Sequence, residues 1–217
     1  MLVSALGLAC SESAGPGIFP ELRHDPVLFV HGYGGNGGNW QQMKDRFLAD
    51  GWLDYELYSY NYSFIASNVT SAAEIRDQVD DIMRTTGATK VDIVAFSMGS
   101  VSSRYYLKNL GGTSKIDAWV SLAGPNHGTD AAENNNCSFT PCREIVPGSP
   151  FLTALNEGDE TPGLVRYGTW SSPCDATINP DESVRLAGAT NTVTACIPHI
   201  VMLSDPVVYA QVREFVE

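Results

Sequence analysis

The chain has no basic run. Its 13 lysines and arginines are scattered among 25 aspartates and glutamates, a formal net charge of -12. That balance argues against polyanion binding and against an electrostatic membrane patch, so no nucleic-acid partner is expected. No apolar stretch approaches the roughly 20 residues of a membrane-spanning helix, so no integral membrane segment is expected either. Also missing are a phosphate-binding glycine loop, a cysteine and histidine spacing suited to a metal, and a cofactor lysine. Activity without cofactor or metal is the expectation. Neither an internal repeat nor a linker is visible. Histidine is scarce, four residues in all, which limits any general base to His24, His31, His127 or His199.

At 217 residues the chain can bury one sizeable core. The expected division is a truncated export signal with an N-terminal segment over 1–24 and a single domain over 25–217. The opening "MLVSALGLAC" is apolar but short and lacks the leading Lys or Arg of an export signal. It reads as a clipped signal or as an ordinary terminus, with Cys10 as an alternative site of lipid attachment. Cys137, Cys142, Cys174 and Cys196 lie in the half of the chain rich in Asn, Pro, Gly and Thr. Four cysteines permit three pairings. Cys137 with Cys142 closes a small loop, and Cys174 with Cys196 joins segments expected side by side. Reduced thiols in the cytosol are the competing reading; disulfides favour secretion or the extracellular side of the cell envelope.

Apolar runs and helical spacings alternate along the chain. "DPVLFV", residues 25–30, reads as a buried strand running into the glycine-rich "HGYGGNGG". A helix is expected over 39–50, a strand in "YELYSYNY", and an amphipathic helix over 70–86 with Ile75, Val79, Ile82 and Met83 on one side. A strand over 91–96, a helix over 98–110 and a strand over 116–122 follow. A loop region without periodicity extends to about Gly148, strand-like runs cover 164–169 and 184–196, and a helix covers 206–216. Strands separated by helices imply βαβ units, hence an α/β fold with a mostly parallel central sheet and helices on both faces.

The chemistry centres on "VDIVAFSMGS". A serine hydroxyl needs a base to take its proton and donors for the developing oxyanion. A strand that turns sharply into a helix exposes Ser97 and demands small neighbours, here Ala95 and Gly99. The turn aims the Met98 N–H at the reaction centre. The second donor should come from the loop after an earlier strand, and Tyr33 in "VHGYGG" is the candidate. For the base, His24 precedes a strand and lies at the wrong edge, and His31 adjoins the oxyanion loop, where it more naturally fixes the turn. His127 stands at a strand's end and is the rival of His199, which follows the last strand and fits the serine, acid, histidine chain order. The acid is sought among Asp117, Asp130, Glu133, Asp159, Asp175 and Asp181; Asp175 directly follows a strand and adjoins Cys174. Tyr58, Tyr60, Tyr62 and Phe64 alternate toward a strand end, where they either reach the cleft mouth or form a core face.

Taken together, "PVLFVHGYGG", "KVDIVAFSMGS" with "YYLKNLGG", "VRLAGATN" and "PHIVML" resemble the small bacterial lipases of the Bacillus type, in the class 2 lipase group of the α/β-hydrolase superfamily. The likeness runs from about Asp25 to the C-terminus. It implies a minimal α/β-hydrolase without a large cap domain, a Ser97, Asp175 and His199 triad, and Tyr33 and Met98 as oxyanion donors. It implies a secreted, monomeric triacylglycerol lipase or esterase working through an acyl-enzyme on ester or lipid substrates, including those at a lipid–water interface. Phe96 stands where these lipases usually carry histidine, Ser100 replaces a glycine, and residues 125–162 look longer than in the smallest members. Alternatives on the same residues are a polyester hydrolase, an amidase or peptidase, and a non-catalytic hydrolase-fold binding protein.

Overall fold

The computed structural model describes residues 21–134 and 138–217. Cys10, Cys137 and most of the expected export-signal segment lie outside the described residues.

Six strands form one sheet: β1 (Val27–Val30), β2 (Leu57–Ser59), β3 (Val91–Phe96), β4 (Ile116–Leu122), β5 (Arg166–Ser171) and β6 (Thr190–Val193). Their order is β2-β1-β3-β4-β5-β6 and every neighbouring pair is parallel. The connecting helices are α1 (Gln41–Ala49), α2 (Asn68–Thr86), α3 (Met98–Asn109), α4 (Asp130–Asn134), α5 (Thr140–Glu144), α6 (Pro150–Asn156) and α7 (Pro206–Val216). The chain runs from β1 to β2 on one side and then returns to place β3 on the other. In open α/β sheets such a reversal leaves a crevice at the carboxyl ends of the strands.

Alternate side chains of each strand enter opposite cores. Val27, Phe29, Val94 and Phe96 pack with Trp40, Met43 and Phe47 from the α1 side and Val208 and Val212 of α7. Leu28, Val30, Ile93 and Ala95 pack with Ala72, Ile75, Val79 and Ile82 of α2 and Leu107 of α3. Burial on both faces is the reason the strands read as continuous apolar runs. Helix ends follow local chemistry: Ser67 accepts the Thr70 N–H at the start of α2, and Gly87, at φ 75°, closes its end with an N–H to Met83 O. Asp205 caps α7 through the Val207 and Val208 amides, with Pro206 in its first turn.

Three stretches differ from the periodicity. β2 is three residues long rather than eight, because Glu56 is fully buried in a preceding turn where its carboxylate accepts the amides of Arg23, His24 and Leu53. The expected strand over 184–196 shrinks to β6, because the Asn191 side chain pairs with both backbone groups of Leu186 and folds that segment into a turn. The region without periodicity contains α4 and α5, and α6 follows it; helices of five to seven residues are too short to display a helical period.

Candidate active site

Ser97 sits between β3 and α3 with φ 53° and ψ -130°, a conformation disfavoured for a residue with a side chain. Such strain persists only where the surroundings impose it. Here the Ser97 N–H is tied to Leu122 O of β4, and its carbonyl accepts from Ser100 N. α3 crosses so close to β1 that a Cβ on Gly99 would collide with the His31 carbonyl and lie 2.8 Å from that of Val30. A Cβ on Gly32 would lie 2.8 Å from Ser97 Cβ. The turn after β1 therefore runs directly against the serine, with Tyr33 next in sequence. Tyr33, Ser97 and Met98 line one cavity of about 340 Å³, walled largely by apolar groups including Phe139, Ile145 and Ile178.

His199 Nδ1 lies 2.6 Å from Asp175 Oδ2. The other carboxylate oxygen, Oδ1, accepts the backbone N–H groups of Thr177 at 2.8 Å and Ile178 at 3.0 Å. This local turn fixes the carboxylate and leaves Oδ2 to the imidazole, which then carries its proton on Nδ1 and presents Nε2 as the basic nitrogen. The Asp175 side chain is 2% exposed and that of His199 16%, so the ion partner is held away from water while the ring stays accessible. The Phe96 ring packs on the imidazole at 4.6 Å between centroids, placing His199 beside the residue that precedes Ser97. A second hollow of about 280 Å³ is lined by His199 together with Cys174, Ala176, Pro198 and Ile200. Thr177 borders both spaces.

The Cys174–Cys196 disulfide is present, with Cα atoms 4.9 Å apart, and joins the loop of Asp175 to the loop of His199. Closing a loop of this size contributes on the order of 3 kcal/mol in chain-entropy terms. Cys142 is disulfide-bonded; Cys137, its expected partner, lies outside the described residues.

The remaining histidines occupy other settings. His24 stacks on Trp52 ahead of β1. His31 is buried, donates from Nδ1 to Gly32 O, accepts the Tyr62 N–H at Nε2 and stacks on the Tyr62 ring. Burial pushes its pKa below the usual histidine value, in keeping with this neutral, fully bonded ring. His127 pairs with Glu160 at 2.7 Å.

The other acids are also engaged elsewhere: Asp117 with Arg166, Asp130 with Asn179, Asp159 with the Thr161 amide. Glu133 is exposed in α4, and Asp181 opens a short turn. Of the aromatic series, Tyr58, Tyr60 and Tyr62 pack on the α2 and α3 side of the sheet. Phe64 meets the ring of Tyr33, which lines the cavity at Ser97, at 5.2 Å.

Two contributors escaped the sequence reading. In the sequence Phe96 marks only a departure from the family pattern; in the structure it is a wall for the imidazole. Ser172, buried between the acid and histidine loops, leaves as its trace in the sequence a Ser-Pro step just after a strand.

Among known proteins, the family described as lipase (class 2) matches residues 24–194. A triacylglycerol lipase of Pseudomonas fragi is 28% identical over an alignment of 141 residues, covering 60% of this chain and 47% of the relative. The chain thus spans about half the length of that curated relative. A Bacillus licheniformis lipase, BlEst2, in its mature form superposes with a TM-score of 0.76 at 16% identity, over 93% of this chain and 96% of the other. Aspergillus fumigatus lipase B gives a TM-score of 0.74 at 16% identity, over 90% of this chain and 53% of the other. At such identities the superpositions speak for a shared α/β-hydrolase fold.

Proposed function

The chain belongs to the class 2 lipase family, and from that premise we propose that it is a secreted, monomeric serine hydrolase of carboxylic esters. The observation that carries the proposal is the bonded Asp175–His199 pair beside a serine held in a strained turn at the reversal point of a parallel sheet.

In this mechanism His199 Nε2 accepts the hydroxyl proton as Ser97 Oγ attacks the ester carbonyl. Asp175 stabilises the imidazolium, and the Tyr33 and Met98 amides receive the oxyanion. Collapse of the tetrahedral species breaks the bond to the alcohol, which leaves with the proton from His199. Water then attacks the acyl-enzyme by the same path in reverse and releases the acid. The acyl group occupies the apolar cavity at Ser97. The alcohol, which must meet His199, occupies the hollow at Ile200.

Exposed Tyr33 and Phe139 at the cavity of Ser97 and exposed Ile200 at the hollow of His199 support the use of aggregated esters. The disulfide supports an oxidising compartment.

The test is hydrolysis of p-nitrophenyl esters from about two to sixteen carbons beside Ser97→Ala, with a fluorescent phosphonate as a covalent probe. Wild type should turn over esters and label, and Ser97→Ala should do neither. Folded wild-type protein that neither hydrolyses an ester nor labels would overturn the proposal.

A further inference from the structure

We propose that Ser172 is a positioning residue for the Asp175–His199 pair, holding the acid loop and the histidine loop in register through its hydroxyl. The inference rests on the ester-hydrolase assignment above.

Ser172 begins the acid loop one residue after β5 and is 1% exposed. Its Oγ accepts the Ile197 N–H at 3.0 Å and the Cys174 N–H at 3.2 Å, and donates to Ile197 O at 2.6 Å. One donor and two acceptor sites are all a hydroxyl has, so this side chain is saturated by its two loops. Its backbone takes part as well, since the carbonyl accepts the Asp175 N–H at 3.1 Å.

The bonded positions lie next to the reacting pair. Cys174 immediately precedes Asp175, and Ile197 is separated from His199 by Pro198 alone, whose ring fixes φ and leaves that short path little freedom. A shift of Ile197 is therefore passed to the imidazole, and a shift of Cys174 to the carboxylate.

The disulfide ties the same junction from neighbouring positions, Cys174 and Cys196. Hydroxyl and disulfide are thus two parallel ties across one gap, each limiting how far the loops separate when the other is lost.

Replacing Ser172 by Ala removes the hydroxyl and leaves two amides and one carbonyl of this partly buried junction without their partner. Because catalysis is sensitive to misplacements of an ångström or less, kcat should fall about tenfold with KM within about twofold of wild type. Ser172→Thr, which keeps the hydroxyl, should restore most of the lost kcat. Cys174→Ala with Cys196→Ala should retain at least about a third of wild-type kcat, because Ser172 still bridges the loops. Adding Ser172→Ala to that pair should lower kcat by more than the product of the separate effects.

The kcat values are taken per phosphonate-reactive site, so that loss of folded protein does not count as loss of turnover. Folded Ser172→Ala with wild-type kcat overturns the proposal, as does a cysteine double variant as inactive as Ser97→Ala. The second arm decides even where Ser172→Ala does not fold. An inert wild type would instead remove the underlying ester-hydrolase assignment, so the two failures are told apart.

Discussion

Gly99→Ala probes the contact that sets the geometry of Ser97, the proposed nucleophile. The added methyl would collide with His31 O, and it would lie 2.8 Å from Val30 O and 3.0 Å from Val30 Cγ1, at or inside the 3.0 Å that real Cβ atoms keep. The two carbonyls are backbone at the end of β1, where His31 O also accepts the Tyr62 hydroxyl, and have no rotamer by which to yield. Relief requires α3 to lift from the sheet by several tenths of an ångström. That movement carries Ser97 and the Met98 amide away from the turn that presents Tyr33.

Overpacking of this kind costs about 1–3 kcal/mol, and a displacement approaching 1 Å at the reaction centre costs about a hundredfold in rate. Urea unfolding and kcat/KM on p-nitrophenyl butyrate measure the two effects separately. Gly37→Ala is the control, since its methyl would meet nothing closer than 3.3 Å; it should change stability by less than about 0.5 kcal/mol. A Gly99→Ala enzyme with the stability and kcat/KM of the control would refute the claim that close approach of helix and strand fixes the serine.

Asp92 is buried in β3, where its Oδ1 accepts the Ala118 N–H at 2.8 Å. Burial, reinforced by the nearby charges of Asp25 and Asp117, pushes its pKa well above the ordinary carboxylate value. The folded protein therefore keeps a proton that the unfolded chain gives up near pH 4, so this group's contribution is present in acid and is lost as pH rises. Asp92→Asn retains the acceptor without the titration and should raise stability at pH 8 more than at pH 4, with a flatter profile above pH 4; chemical denaturation at several pH values checks this. Ile200, 58% exposed beside His199, should favour apolar alcohols. In a pH-stat assay Ile200→Ser should lower the preference for octyl over methyl butanoate about fivefold, a loss of roughly 1 kcal/mol of apolar contact, and an unchanged ratio would remove the alcohol from that hollow.

The order of strands and helices was legible because burial on both sheet faces leaves continuous apolar runs, and α2 and α7 carry stripes with matching caps. The elbow was legible because the need for small residues around Ser97 is local in sequence. The short helices of 130–156 were not, since their stability comes from packing rather than from a period. Met98 and Val101 of α3 meet Ile145, Leu152 and Leu155 there, and buried Arg104 reaches the carbonyls of Asn126 and Leu155.

The pairing of Asp175 with His199 was inferred from chain order, yet order alone assigns no distance. What brings the two loops together is the parallel register of β5 and β6, extended past their ends by Thr194 N–H to Ser171 O at 2.8 Å, then by Ser172 and the disulfide. Ser172 could not be found by type or spacing, because a serine after a strand is ordinary and its role exists only once another loop lies 25 residues away in sequence against it. A base and its acid are recognisable by what they are. The residue proposed to aim them is recognisable only by where both loops converge, so a positioning residue of this kind comes to light in the structure even when candidates for base and acid can be picked from the sequence.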